Sequence, residues 1–339
     1  MDVGTKIVAF PQASDGQTAA PRKVNESSGY QSMRVTDRSL KREGKMSVLT
    51  MLERDRRELT AGLLRVLKVA AALSCECLSP WALPSEWVLS MESAVLNASP
   101  AWDGNLPFVS ARATLGRTAD AAREHGFALF ELARSSRALS VPLATVTRGA
   151  IEAYGRVYYL LKADTPAELF ARHASIEDFD MDYPERLGAR LRRLPLEIEA
   201  THPVDAYRDG LRGWMTAHNL KLEKLGPTSL ATGMLGAIYP EARVVYSGLS
   251  AAAHGQAWAT ANFFDFEKGG LQRDDKTLME YCMYVIETTR LVGSWFVERF
   301  VPPLDAFERW KQTNDQVTKL LSVFITPTHS AEGDARGYS

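Results

Sequence analysis

From residue 47 onward the apolar positions recur every three or four residues, the period of a helix lying against a core rather than of a strand. Leu52, Leu59, Leu63, Leu67, Ala70 and Leu73 share one face while Arg54, Arg56, Arg57, Glu58 and Lys68 fill the others, which predicts a first long helix over 48–75. Pro80 and Pro84 end it, Ser85 with Glu86 opens a shorter helix to about residue 96, and Pro100, Asp103, Gly104 and Pro107 mark a loop. A long amphipathic stretch over 111–139 leads to the clearest helix start in the chain. There Ser140 is the cap, Pro142 lies in the first turn, where its missing N–H has no helical partner to lose, and Val146, Ile151, Tyr154, Tyr158 and Leu161 form the apolar face. Thr165, Pro166 and Glu168 repeat this chemistry for a helix to about Asp178. Short helices are predicted near 184–194, 204–222 and 229–238.

The stretch 244–264 holds no Asp, Glu, Lys or Arg and has the length of a membrane span. Ser247, Ser250, His254, Gln256, Thr260 and Asn262 make insertion into lipid costly, so it reads as one helix buried in the protein, and no membrane association is expected. Gly269 and Gly270 break the chain before a helix over 274–300, with Met279, Met283, Ile286, Val292, Trp295 and Phe296 inward. Pro302 and Pro303 separate it from a last helix over 304–323. No strand alternation and no fixed repeat appear, so the expected fold class is all-α, a single multi-helix bundle domain. Residues 1–45, rich in Gly, Ser, Pro and Gln, read as a disordered leader, 46–325 as the bundle with its core over 110–300, and 326–339 as a flexible tail. The four longest helices are expected to form the core, with 164–228 as a cap. Met33 and Met46 are candidate translation starts.

Composition narrows the functional classes. With 40 Lys and Arg against 41 Asp and Glu, there is no global field to draw the chain onto nucleic acid or an anionic membrane, so such binding needs a local patch. Three Cys in 339 residues are no disulfide framework and fit a reducing cytoplasm, and Cys75 and Cys77 lack the partners of a zinc knuckle. No phosphate-binding glycine loop, nucleophile elbow or zinc-protease signature is present, so neither a cofactor nor a metal is expected.

Two helices interrupt their own apolar pattern in the same way. Arg148, Glu152 and Arg156 are spaced by four along a helix otherwise made of Val, Leu, Ile and Tyr, and Tyr246, Ser250 and His254 are spaced by four along the uncharged stretch. Facing each other, they would place a guanidinium, a carboxylate, a phenol, a hydroxyl and an imidazole in one pocket. Such a set suffices for acid–base chemistry on a phosphodiester or ester, with His254 moving the proton, Arg148 stabilising negative charge and Glu152 orienting a partner. The same residues would equally serve as a buried network that fixes the register of two helices.

The run Arg148-Gly149-Ala150-Ile151-Glu152, with Tyr158-Tyr159-Leu160-Leu161 after it, resembles the R-x3-E helix of a group of uncharacterised bacterial all-helical proteins. The run from Tyr246 through Leu249, Ser250 and His254 to Gly255 resembles that group's Y-x2-L-S-x3-H-G motif. The resemblance covers about residues 110–300 and implies a helical fold without an assigned activity. More loosely the chain is similar to the HEPN domains of toxins and abortive-infection proteins, many of them metal-independent ribonucleases marked by R-x4-6-H. Arg212 and His218 fit that spacing, with Gly213 where the family carries a polar residue.

Among the remaining features, Glu177, Asp178, Asp180, Asp182 and Glu185 read as a solvated acidic loop lacking the ligand spacing of a calcium site. Arg186, Arg190, Arg192 and Arg193 form a local basic patch, His125 and His173 are expected at the surface, and Trp214 and Trp258 in the core. The leading expectation is a nuclease-like effector of stress or phage defence working through Arg148, Glu152, Tyr246, Ser250 and His254 on RNA. The alternative is a non-catalytic helical module that binds a small anionic ligand or a partner. A homodimer is the default assembly.

Overall fold

Proline and glycine punctuate the chain where the pattern breaks, and between them the backbone is helical. The computed structural model describes residues 37–79, 82–135, 140–191, 202–265, 270–271 and 274–325. Two compact units divide the chain, Met1–Val48 and Leu49–Ser339, and every element after the first helix, Asp37–Cys77, belongs to the second.

Among the described residues there are eleven α-helices: α1 (Asp37–Cys77), α2 (Glu86–Glu92), α3 (Pro107–Arg134), α4 (Ser140–Leu161), α5 (Pro166–Leu191), α6 (His202–Ala217), α7 (Pro227–Leu235), α8 (Ala242–Ala253), α9 (Ala257–Thr260), α10 (Asp275–Arg299) and α11 (Leu304–Ile325). Single 3₁₀ turns lie at Val95–Asn97 and Ala261–Phe263. The only strands among the described residues form a two-residue antiparallel ladder, Phe264 opposite Leu271 and Asp265 opposite Gly270, so the fold is all-α.

The helix starts follow their sequence chemistry. Ser85 accepts a hydrogen bond from the Val88 N–H, and Asp274 accepts from that of Lys276. Ser229 serves α7 from inside the first turn, accepting from the Gly226 N–H at 3.1 Å and donating to the Gly226 carbonyl at 2.7 Å. α1 begins at Asp37, ahead of the expected boundary at residue 46, because the run from Asp37 to Lys45 is rich in charged helix formers. α5 continues past Pro184, where the pattern predicts a separate helix, so the supposed acidic loop is helix instead.

α4 is the hub. It packs against α3, α10, α7 and α8, burying Ile151, Tyr154, Val157 and Leu160 among Leu115 and Leu129 of α3 and Val285, Ile286 and Phe296 of α10. Leu63 and Leu67 of α1 join this core, and Leu67 comes so close to Gly126 of α3 that a Cβ there would stand 2.7 Å from it. Met279, Met283 and Trp295, expected inward, pack at its margin. α5 and α6 close around a second small apolar cluster of Ala174, Leu211 and Met215, while Leu169, Phe170 and Ile176 of α5 belong to the main core.

The uncharged stretch is not one buried helix. α8 stops at Ala253, Gly255 takes φ +64°, and the N–H groups of Gly255 and Gln256 bond back to the carbonyls of Ala252 and Ala251 at 3.0 and 2.9 Å. This glycine-closed helix end leaves Trp258 65% exposed, its Nε1 donating to Gln256, so Trp258 is no core filler. Trp214 is half-buried against Trp102.

Candidate functional site

The two polar stripes meet. α4 presents Arg148 and Glu152 one turn apart on the side that faces α8, and the helix end built by Gly255 places His254 as the last residue of α8. Arg148 Nε donates to Glu152 Oε1 at 2.7 Å, and the Tyr246 hydroxyl donates to the same oxygen at 2.6 Å. A second guanidinium nitrogen of Arg148 lies 2.7 Å from His254 Nε2. A guanidinium has no acceptor, so Nε2 accepts and the His254 proton resides on Nδ1. The Arg148 guanidinium also stands 5.8 Å from the centre of the Tyr246 ring, and Thr228 at the start of α7 donates to the Tyr246 hydroxyl at 3.4 Å.

Electrostatics favour this arrangement. Burial alone would lower the Arg148 pKa, but the bond and charge of Glu152 outweigh it and raise the value above that of a free arginine. Burial, reinforced by Glu152, pushes the Tyr246 phenol up, so it remains a neutral donor. Arg148 and Glu152 each keep about a quarter of the side chain exposed, Tyr246 is buried and His254 is exposed. Arg148, Glu152, Tyr246 and His254 are therefore joined in one hydrogen-bonded cluster rather than around a cavity that all four line. The Ser250 hydroxyl makes no hydrogen bond to the cluster among the described residues, although Ser250 lies on the same face.

Glu152 also borders an open cavity of about 290 Å³ that it shares with Arg117, His125, Gly149, Arg156 and Pro227. His125 lies flat on α4 because Gly149 has no side chain; a Cβ there would come within 2.7–2.9 Å of the imidazole ring. Gly149 in the R-x3-E run was the available signal for this approach, but a glycine in sequence does not say which neighbour uses the space. Arg156, the third member of the stripe, turns to α5 and grips Asp180 with two bonds of 2.7 and 2.8 Å.

The acidic segment is accordingly a set of ion-pair partners rather than a solvated loop. Asp178 and Asp182 hold Arg208, Asp178 also meets Arg212, and Glu177 accepts from Thr114 and Tyr207. The side chains of Glu185, Arg186, Arg190, Arg192 and Arg193 lie outside the described residues. His173, expected at the surface, is 2% exposed: its ring stacks on Trp102 and its Nε2 sits 3.1 Å from Thr114 Oγ1 and 3.4 Å from Glu177. Burial would raise the Glu177 carboxyl, but His173, followed by Thr114 and Tyr207, outweighs it and holds the value below the ordinary glutamate range. His125 is exposed as expected. Arg212 is engaged by Asp178, while His218 rests on the Trp214 ring with centroids 4.4 Å apart.

No group of three or more His, Cys, Asp or Glu side chains suited to a metal ion occurs among the described residues, and no described helix is long and apolar enough to cross a membrane. Compared with family models, curated proteins and solved structures, the chain matches none.

Proposed function

We propose that the chain is a non-catalytic helical binding module in which Arg148, Glu152, Tyr246 and His254 form a lock between α4 and α8. The carrying observation is the 2.7 Å bond from Arg148 to His254 Nε2. A general base needs a free lone pair aimed at the proton it removes, and this one is already occupied. Glu152 Oε1 takes two donors, and the Tyr246 hydroxyl is turned inward to it. A closed circuit of this kind fixes helix register, the best-attested role of partly buried ionic networks. The free thiols of Cys75, Cys77 and Cys282 support a reducing compartment, hence the cytoplasm, for this module.

A second reading, a nuclease-like effector of stress or defence acting on RNA, is favoured by one observation: His254 is exposed and adjacent to a cation. A phosphate arriving at Arg148 would replace the imidazole as its partner and release Nε2 as a base. Expression of wild type and His254→Ala in a bacterial host, scored for growth and RNA integrity alongside melting of the purified proteins, separates the two. The lock predicts intact RNA in both strains and a lower melting temperature for the variant. RNA breakdown that disappears in His254→Ala with unchanged melting would overturn it.

A further inference from the structure

We propose that a second cleft, between the C-terminal half of α4, the start of α5 and α7, binds a compact aromatic phosphate monoester of the nucleoside monophosphate class. The cleft has a volume of about 380 Å³, within the ~300–1,000 Å³ of typical small-molecule sites, and shares no residue with the α4–α8 lock. It gives the binding-module reading a ligand and rests on that reading.

Three cations converge on it: Lys162, Arg172 and Lys224. Arg172 is held in place, donating to the Tyr159 carbonyl at 2.9 Å with its guanidinium 5.0 Å from the Tyr159 ring centre and Glu168 at 3.8 Å. Lys162 lies over the Tyr158 ring at 5.4 Å. Neither Lys162 nor Lys224 makes an ion pair among the described residues. The nearby carboxylates are engaged elsewhere, Glu223 by the Tyr159 hydroxyl at 2.6 Å and Asp164 by Arg299 at 2.5 Å. Two ammonium groups without a close carboxylate partner among the described residues, beside a positioned guanidinium, suit a dianion with several acceptor oxygens, which a phosphate supplies and a carboxylate does not.

The rest of the lining is mostly apolar: the two tyrosines with Leu225, Leu230 and Met234, and Ser229 as its one hydroxyl residue besides them. Gly233 adds to this, since a Cβ there would meet nothing within 4 Å and the helix leaves that space to the cleft. Such walls accept a planar ring by dispersion contact.

Titration calorimetry of the full chain with adenosine 5′-monophosphate, adenosine and inorganic phosphate tests the proposal. The monophosphate is expected to bind, with adenosine and phosphate each at least about tenfold weaker. Lys224→Gln should weaken binding about five- to tenfold. Gly233→Leu, which fills the cleft and improves helix propensity, should abolish binding without lowering the melting temperature. His254→Ala should leave the affinity unchanged, so loss of the lock and loss of the ligand site are read separately. No binding of the monophosphate at millimolar concentration, equal binding of phosphate alone, wild-type affinity in Gly233→Leu, or loss of binding in His254→Ala would each overturn the proposal.

Discussion

Replacing Glu152 with Ala removes the acceptor on which the α4–α8 lock converges. The Tyr246 hydroxyl loses a 2.6 Å bond to a carboxylate, and Tyr246 is only 3% exposed, so water replaces it poorly. A bond of this type contributes about 1.5–3 kcal/mol. Arg148 also loses its 2.7 Å partner, but with 24% of its side chain exposed it is rehydrated, and this second loss is about 0.5–1 kcal/mol. Together the change should cost about 2–4 kcal/mol, which at ~2 °C per kcal/mol for a chain this large lowers the melting temperature by about 4–8 °C. Thermal unfolding followed by circular dichroism measures it. Tyr246→Phe alone should cost about 1–2 kcal/mol, and the double variant should fall short of the sum because both changes remove the same bond. Ser250→Ala, which removes a hydroxyl outside the circuit, should change stability by less than about 0.5 kcal/mol. A Glu152→Ala protein melting within about 1 °C of wild type, or additivity with Tyr246→Phe, would refute the reasoning.

Gly155→Ala places a Cβ 3.0 Å from the backbone of Leu230 and Ala231 on α7, which cannot rotate away, so the gain in helix propensity is outweighed and stability should fall by about 1–2 kcal/mol in denaturant titration. Glu177 carries a folded-state pKa below its ordinary value of about 4.3, so its contribution is complete above that pH and is lost as pH falls through the lowered value; Glu177→Gln should flatten this acid limb and, by leaving His173 with one partner fewer, cost about 1–3 kcal/mol at pH 7. The Glu287 carboxyl, raised by its partial burial beside Arg290, acts with the opposite sign, so Glu287→Gln should steepen the net loss of stability on acidification as measured by melting between pH 3 and 7. Trp258→Ser should shift the melting temperature by no more than about 1 °C, since the indole is largely in solvent.

Periodicity was sufficient for the helices that bury a regular stripe. α3, α4, α10 and α11, and α1 at its C-terminal end, stand close to where the spacing of Leu, Ile and Val places them, because burial of one face is a local property of the sequence. It failed where the deciding interaction lies far along the chain. Asp180 and Asp182 look like a solvated loop until Arg156 and Arg208 arrive from α4 and α6. His173 looks like a surface residue until Trp102 covers it. The stretch over 244–264 lacks charge but carries Gly255, whose left-handed conformation ends α8 and exposes Trp258; one glycine outweighs the apolar run. For the site, two spacings of four sufficed to bring Arg148, Glu152, Tyr246 and His254 together. The direction of their hydrogen bonds, which separates a lock from a catalytic device, depends on the relative placement of α4 and α8 and is not written in either helix alone.

That direction is directly measurable. A two-bond ¹H–¹⁵N correlation spectrum of the imidazoles near neutral pH, with the His254 signals assigned by their absence in His254→Ala, reports which ring nitrogen carries the proton. The lock predicts the Nδ1–H tautomer with Nε2 as a hydrogen-bonded acceptor, and a shift of the Nε2 resonance in Arg148→Ala. A His254 ring protonated on Nε2, or an Nε2 resonance indifferent to the loss of Arg148, would contradict the account.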